Sequence, residues 1–171
     1  MRIRPGGVAD VDSVLALMDE AVEWMAARGQ AGQWGSEPIS HRLSFVERLE
    51  GWQRAGGLRI AESDDGEAVG ALVVGEAQPY VRKVDEHELY VVLVVTSRRH
   101  AGEGIGSALV ARALEEACDA GAALVRVDCW AGAPRLVRWY EEQGFFPSER
   151  FTVGEWEGQL FELRLAPSTS S

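Results

Sequence analysis

The sequence predicts a mixed, mostly antiparallel α/β sheet of about seven strands with helices on both faces. Three observations predict it. Leu89 to Val95 is an unbroken apolar run rich in β-branched residues, the pattern of a central strand buried on both faces. From about Gly104 the apolar period becomes helical: Gly106, Leu109, Val110, Ala113, Leu114, Ala117 and Cys118 share one face, and Arg112, Glu115, Glu116 and Asp119 the other. Elsewhere, short strand-like runs alternate with turn residues and amphipathic stretches, as in a sheet covered by helices.

In order, Met1 to Arg4 reads as a first strand ended by Pro5-Gly6-Gly7. Residues 10 to 27 read as a helix, with Val11, Val14, Leu15, Met18, Val22 and Met25 at helical spacing. The glycine-rich segment Arg28 to Gly35 is a loop, and a second helix is expected from Ser40 to Arg54, burying Phe45, Val46, Leu49 and Trp52. Leu58 to Ser63 and Ala68 to Gly75 flank Asp64-Asp65-Gly66-Glu67 as a hairpin. Gly75 to His87 is irregular. Leu124 to Trp130 reads as a strand, Pro134 to Gln143 as a short helix, and Phe145–Val153 with Gln159–Leu165 as a last antiparallel pair, Trp156 in the loop between them. Residues 1–165 form one domain and 166–171 a polar, disordered tail.

The 171 residues, 46% hydrophobic, suffice for one substantial core. No stretch approaches a membrane span and no signal pattern is present, so a cytoplasmic location is expected. The formal net charge of −10 argues against a nucleic-acid partner and favours an amine-bearing acceptor. Cys118 and Cys129 have no metal-ligand spacing and read as buried small hydrophobes; no metal is expected.

The chemistry concentrates between the central strand and the long helix, in Arg98-Arg99-His100-Ala101-Gly102-Glu103-Gly104-Ile105-Gly106. Three glycines remove side chains where backbone must approach something closely, and a helix N-terminus offers unpaired N–H groups and a positive dipole end, together an anion site. A P-loop is excluded, because Ser107-Ala108 follows Gly106 where Lys-Ser/Thr is needed. A dinucleotide site would use Gly102, Gly104 and Ser107, with Asp128 on the ribose, but the turn from strand to first glycine is too long for that fingerprint.

Gly104-Ile105-Gly106-Ser107-Ala108-Leu109 resembles the second half of the acyl-CoA signature of the GNAT family of N-acetyltransferases, Gln/Arg-x-x-Gly-x-Gly/Ala after a buried strand. With Gly104 and Gly106 as the signature glycines, Ala101 fills the Gln/Arg place; with Arg99, Gly102 and Gly104, the arginine is restored and the helix start shifts by two residues. Tyr140-Glu141-Glu142-Gln143-Gly144-Phe145 resembles the family's Tyr-x-x-x-Gly-Phe ending, while Ala133 stands where the family often has asparagine. The two motifs span about half the chain.

The resemblance implies an acetyl-CoA-dependent N-acetyltransferase acting by direct attack in a ternary complex, with a small-molecule or peptide amine as acceptor. Homodimers are common among such enzymes. It implies a V-shaped slot where the central strand and its parallel neighbour splay. Cofactor contacts are expected from Val94, Val95, Arg99, His100, Ala101, Gly102, Gly104, Ile105, Gly106 and Ser107. A backbone N–H at a bulge, Val94 or Val95, would serve the thioester oxygen, and Tyr140 would protonate the sulfur. Glu88, at the head of the central strand, is expected as general base, with Glu86 as the alternative; Trp24 and Trp34 are expected as acceptor-pocket walls. Two other readings stay open: a non-catalytic acyl-CoA-binding regulatory module, and the dinucleotide-dependent oxidoreductase.

Overall fold

A computed structural model describes residues 1–167. Seven strands form one sheet: β1 (Arg2–Pro5), β2 (Leu58–Glu62), β3 (Ala68–Gly75), β4 (Glu88–Thr96), β5 (Leu124–Trp130), β6 (Phe146–Val153) and β7 (Trp156–Arg164), in the order β1-β2-β3-β4-β5-β7-β6. Only β4 and β5 are parallel neighbours. The helix between them supplies the crossover that parallel pairing requires.

The helices are α1 (Val11–Ala26), α2 (Leu43–Arg54), α3 (Ile105–Asp119) and α4 (Pro134–Glu142). Leu15, Met18 and Val22 of α1 and Leu49 of α2 pack on Ile60, Ala71, Val73, Leu93 and Val95 to form one core layer. On the other face, Leu109, Val110 and Ala113 of α3 meet Leu72, Val91, Val125 and Val127, and Tyr140 of α4 joins them. Alternation along the strands divides the two layers, as period-2 side chains require.

Four local expectations are corrected. The segment expected to begin α2 is a 3₁₀ turn, Ile39–His41, after which Arg42 turns extended and α2 starts at Leu43. Trp156 opens β7 instead of lying in a loop, because Val153 pairs with it and closes the hairpin tightly over Gly154 and Glu155. Cys118 is exposed, being at the edge of the α3 stripe. Phe45, Val46 and Trp52 of α2 are half-buried instead of core. Of the expected disordered tail, residues 168–171 lie outside the described residues. No helix among the described residues is long and apolar enough to cross a membrane.

Candidate active site

Strand β4 is irregular in its middle, and the site follows from that. Its register with β3 passes from Val73 opposite Leu93 to Val74 opposite Val91, so Val92 is the extra residue of a bulge. On its other side β4 pairs with β5 only from Glu88 to Val91, opposite Leu124 to Val127. Beyond that point the two strands part. The Ser97 N–H donates to Val69 O at 2.8 Å, so alternation turns the Val95 and Leu93 amides toward β3 and the Val94 and Thr96 amides toward the gap. Of the two residues expected as an oxyanion donor, Val94 is the one whose N–H faces the opening.

A cleft of about 1340 Å³ runs through this gap, lined by β4 from Val91 to Thr96, the first turn of α3, the start of α4, and side chains of α1, α2 and their connecting loop. At one end lies the glycine turn. Gly102 and Gly104 have φ of +85° and +76°, where only glycine is relaxed, and a Cβ on either would meet no atom within 4 Å. Their role is to shape a turn that opens onto the cleft. Gly106 serves a different end: a Cβ there would come to 3.0 Å from the Trp139 indole, so this glycine lets α3 pack against α4. Ala108 N–H bonds Gly104 O at 3.0 Å, which leaves the Ile105, Gly106 and Ser107 amides at the mouth of α3.

The charged groups of this turn divide. Arg98 lies in the cleft, its guanidinium 3.8 Å above the Trp24 ring, while Arg28 stands 4.0 Å from the same ring. Burial and the neighbouring Arg28 cation push the Arg98 pKa down, and its buried Nε has no hydrogen-bond partner among the described residues. Such a group is suited to an anion. Arg99 is not in the cleft: it turns outward and is paired with Glu67 on the exposed surface. His100 lines the cleft beside Ala101 and is 3.1 Å from Glu103. Glycine turn, free amides and a half-buried cation together fit a diphosphate.

Midway, Tyr140 is 5% exposed, its ring packed against Trp139, Phe145 and Phe161 at centroid distances of 4.9, 6.0 and 5.3 Å. It lines the cleft, and its hydroxyl makes no hydrogen bond to another described residue. Burial raises its pKa well above the ordinary phenol value, so it holds its proton. Cys129, behind it, is buried and its thiol is pushed up to about 12 by burial and by Asp128, which leaves it inert.

The expected base is displaced. Glu88 sits at the closed end of β4, where both its oxygens accept from Arg126, at 2.6 Å from Nε and 2.9 Å from Nη2. It borders a separate hollow of about 260 Å³ with Gly57, Val74 and Ala122, not the cleft. Glu86 is exposed and bound to Arg164 at 2.6 Å, which lowers its pKa. The carboxylate facing the cleft is Asp128 on β5, one residue past the last β4 pairing. The Tyr90 hydroxyl bonds it closely, and the Tyr80 hydroxyl donates from 3.4 Å. Burial raises its pKa despite both hydrogen bonds. The sequence offers Asp128 as a ribose ligand; its place two residues after Arg126, the two charged residues of a strand whose other residues are apolar or cysteine, is the signal that both are engaged inside the fold.

Trp34, Phe45, Trp52, Tyr80, Trp130 and Trp156 wall this half, with Trp24 nearer the glycine turn. The loop between α1 and α2 is clasped across it: Trp156 Nε1 donates to Gly32 O at 2.8 Å, and Trp130 N–H to Gln33 Oε1 at 2.6 Å. A Cβ on Gly32 would fall 2.2 Å from the Trp130 ring, so only glycine allows the clasp.

Comparison with known proteins agrees with this geometry. Residues 32–145, more than half the chain, match the family model described as Acetyltransferase (GNAT) family. No curated protein matches in sequence. Among solved structures, a ribosomal-protein-alanine N-acetyltransferase from Brucella melitensis is similar with TM-score 0.71 and 22% identity, over 96% of this chain and 100% of that one. A GNAT-family acetyltransferase from Listeria monocytogenes gives TM-score 0.74 and 18% identity, over 96% and 94%. The yncA protein of Salmonella typhimurium, solved with its cofactor acetyl-CoA, gives TM-score 0.71 and 19% identity, over 100% and 97%. With its sheet parted at a mid-strand bulge and a glycine turn at the mouth of the gap, the chain belongs to the GNAT family of acetyltransferases.

Proposed function

We propose that this protein transfers an acetyl group from acetyl-CoA to an amine, the two substrates meeting in the gap between β4 and β5. One observation carries the reading: a single cleft joins the glycine turn and helix mouth of α3 to a half-buried carboxylate, Asp128, with the Val94 amide and the Tyr140 hydroxyl between them. Acetyl-CoA supplies the acyl group as a thioester, whose C–S bond breaks as the amide C–N bond forms. The turn from Ala101 to Ser107, with Arg98 and His100, holds the diphosphate. The Val94 N–H donates to the thioester oxygen as negative charge gathers there.

Asp128 takes over the task expected of Glu88. An alkyl amine is mostly protonated near neutrality, and a carboxylate with a raised pKa is better matched to accept its proton than an ordinary one. Tyr90 and Tyr80 orient that carboxylate. Tyr140, protonated and without a competing partner, donates to the departing sulfur. Trp24 and Trp34 serve as walls. The proposed compartment is the cytoplasm.

The test is thermal shift with acetyl-CoA, CoA, NAD and NADP, followed by thiol release over a panel of primary amines. Stabilisation by acetyl-CoA and CoA, with amine-dependent release, is expected. Stabilisation without release for any amine would leave the binding module, which Ala101 and Ala133 at the family's polar positions favour. A response to NAD or NADP alone would overturn the proposal.

A further inference from the structure

The chain has 27 acidic and 17 basic side chains, yet its cleft reverses that balance. Arg28, Arg42, Arg48, Arg98 and Arg135 line it against one carboxylate, Asp128. Among the described residues, salt bridges engage Arg2, Arg4, Arg59, Arg82, Arg99, Arg112, Arg126, Arg150 and Arg164, and none of the five in the cleft. Nine arginines outside the cleft are thus paired with carboxylates of the described residues, Arg54 and Arg138 are not, and the five unpaired ones that gather in the cleft concentrate positive potential there.

These five do not share one task. Arg28 and Arg98 flank Trp24 beside the glycine turn, and Arg135 lies in the first turn of α4, the helix whose Trp139 packs on Gly106 at the mouth of α3. Arg42 is committed to the loop, donating to Trp34 O at 2.6 Å and Glu37 O at 2.8 Å. Arg48 remains. It stands on α2 at the rim of the acceptor half, donating one Nη2 bond to Gln78 Oε1 at 2.6 Å, with its guanidinium 4.9 Å from the Trp52 ring centroid. Both contacts fix its orientation, neither neutralises it, and its other N–H groups are open to a ligand.

Tyr80 links this cation to the base. Its hydroxyl donates to Asp128 at 3.4 Å and lies within the electrostatic reach of both Asp128 and Arg48. A bare cationic amine would be repelled by Arg48 on its way to Asp128, whereas a molecule bearing both an amine and an anion satisfies the two together. A carboxylate matches the planar fork of a guanidinium. The half-buried faces of Phe45 and Trp52 offer an apolar wall beside it.

Building on the acetyltransferase reading above, we propose that the acceptor is an amino acid with an apolar or aromatic side chain, its amine at Asp128, its carboxylate on Arg48 and its side chain against Phe45 and Trp52. In the step, the amine proton passes to Asp128, the N–C bond forms and the C–S bond breaks. The thiolate takes a proton from Tyr140, the second proton on the nitrogen returns to the Tyr140 phenolate through water, and Asp128 gives its proton to solvent, so the products are an N-acetyl amino acid and CoA.

The experiment compares L-phenylalanine, L-leucine and L-methionine with their amides and their decarboxylated amines, by thiol release and by mass spectrometry of the product. The acids are expected to exceed both controls in kcat/KM by about 10- to 100-fold, the worth of a charge-assisted hydrogen bond. Arg48→Gln should erase most of that preference through KM for the acids while KM for acetyl-CoA stays put, and Arg48→Lys should restore part of it. Amides or amines used as well as the acids would overturn the inference, as would an Arg48→Gln loss shared equally by acids and controls. Transfer to other amines but to none of these acids would also overturn it while leaving the transferase reading intact. Absence of acetyl-CoA binding would instead remove the reading beneath it.

Discussion

Asp128→Asn separates the proposed base from its structural surroundings. The amide has the same shape and keeps an oxygen for the Tyr90 hydroxyl, so packing at the mouth of β5 is preserved. What is lost is proton acceptance, which is worth about 10²- to 10⁴-fold in rate, or about 2.7–5.5 kcal/mol of barrier. Stability should move the other way. Because burial raises the Asp128 pKa in the folded state, the fold favours the protonated form. The unfolded chain releases its proton first as pH rises, so stability falls as pH climbs from the ordinary aspartate value through the folded one, and stays lowered above it. The amide lacks that penalty. At neutral pH the variant should melt no lower than the parent, and each kcal/mol gained would add about 2–4 °C to Tm. Thiol-release kinetics from about pH 6 to 9 and a thermal melt read both effects. In the parent, kcat/KM should fall on the acidic side as Asp128 is protonated. Near-normal turnover in the variant, with the acidic limb unchanged, would refute the assignment.

Three other substitutions follow from the same geometry. Tyr140→Phe keeps the ring contacts and should lower kcat by about 10²-fold or more with little change in Tm; a lowered Tm with normal kcat would make it a core residue. Glu88→Gln strands the fully buried Arg126 and should cost about 3–5 kcal/mol of stability, a fall in Tm on the order of 10 °C, while the pH profile keeps its shape. Gly104→Asp puts a Cβ at a φ of +76° and a negative charge at the mouth of α3; calorimetric titration should show acetyl-CoA affinity lost while the variant still folds.

The strands and helices were legible because each is announced by its own neighbours. Val11 to Val22 carry apolar residues at helical spacing, and the run from Leu89 to Val95 has no charged residue. The place of Tyr140 in the cleft was legible from its spacing to Gly144-Phe145. Glu88 and Asp128 were not, since the difference between them is three-dimensional. Both are acids on adjacent strands, but Arg126 crosses from β5 to neutralise Glu88, and the strands part only beyond Val91 and Val127, so one carboxylate is locked in the closed end and the other faces the opening. Arg98 and Arg99 are likewise adjacent in sequence, yet the 3₁₀ turn that carries them sends one into the cleft and the other to Glu67. The net charge is silent on position for a similar reason: the sum of −10 hides where the arginines gather.

The central claim is that the gap between β4 and β5 seats the thioester, and a crystal structure of the protein with acetyl-CoA tests it most directly. The account predicts the diphosphate on the amides from Gly102 to Ser107, the carbonyl oxygen accepting from the Val94 N–H, and the sulfur beside the Tyr140 hydroxyl. A diphosphate bound elsewhere, or an acetyl group seated in the hollow by Glu88, would contradict it.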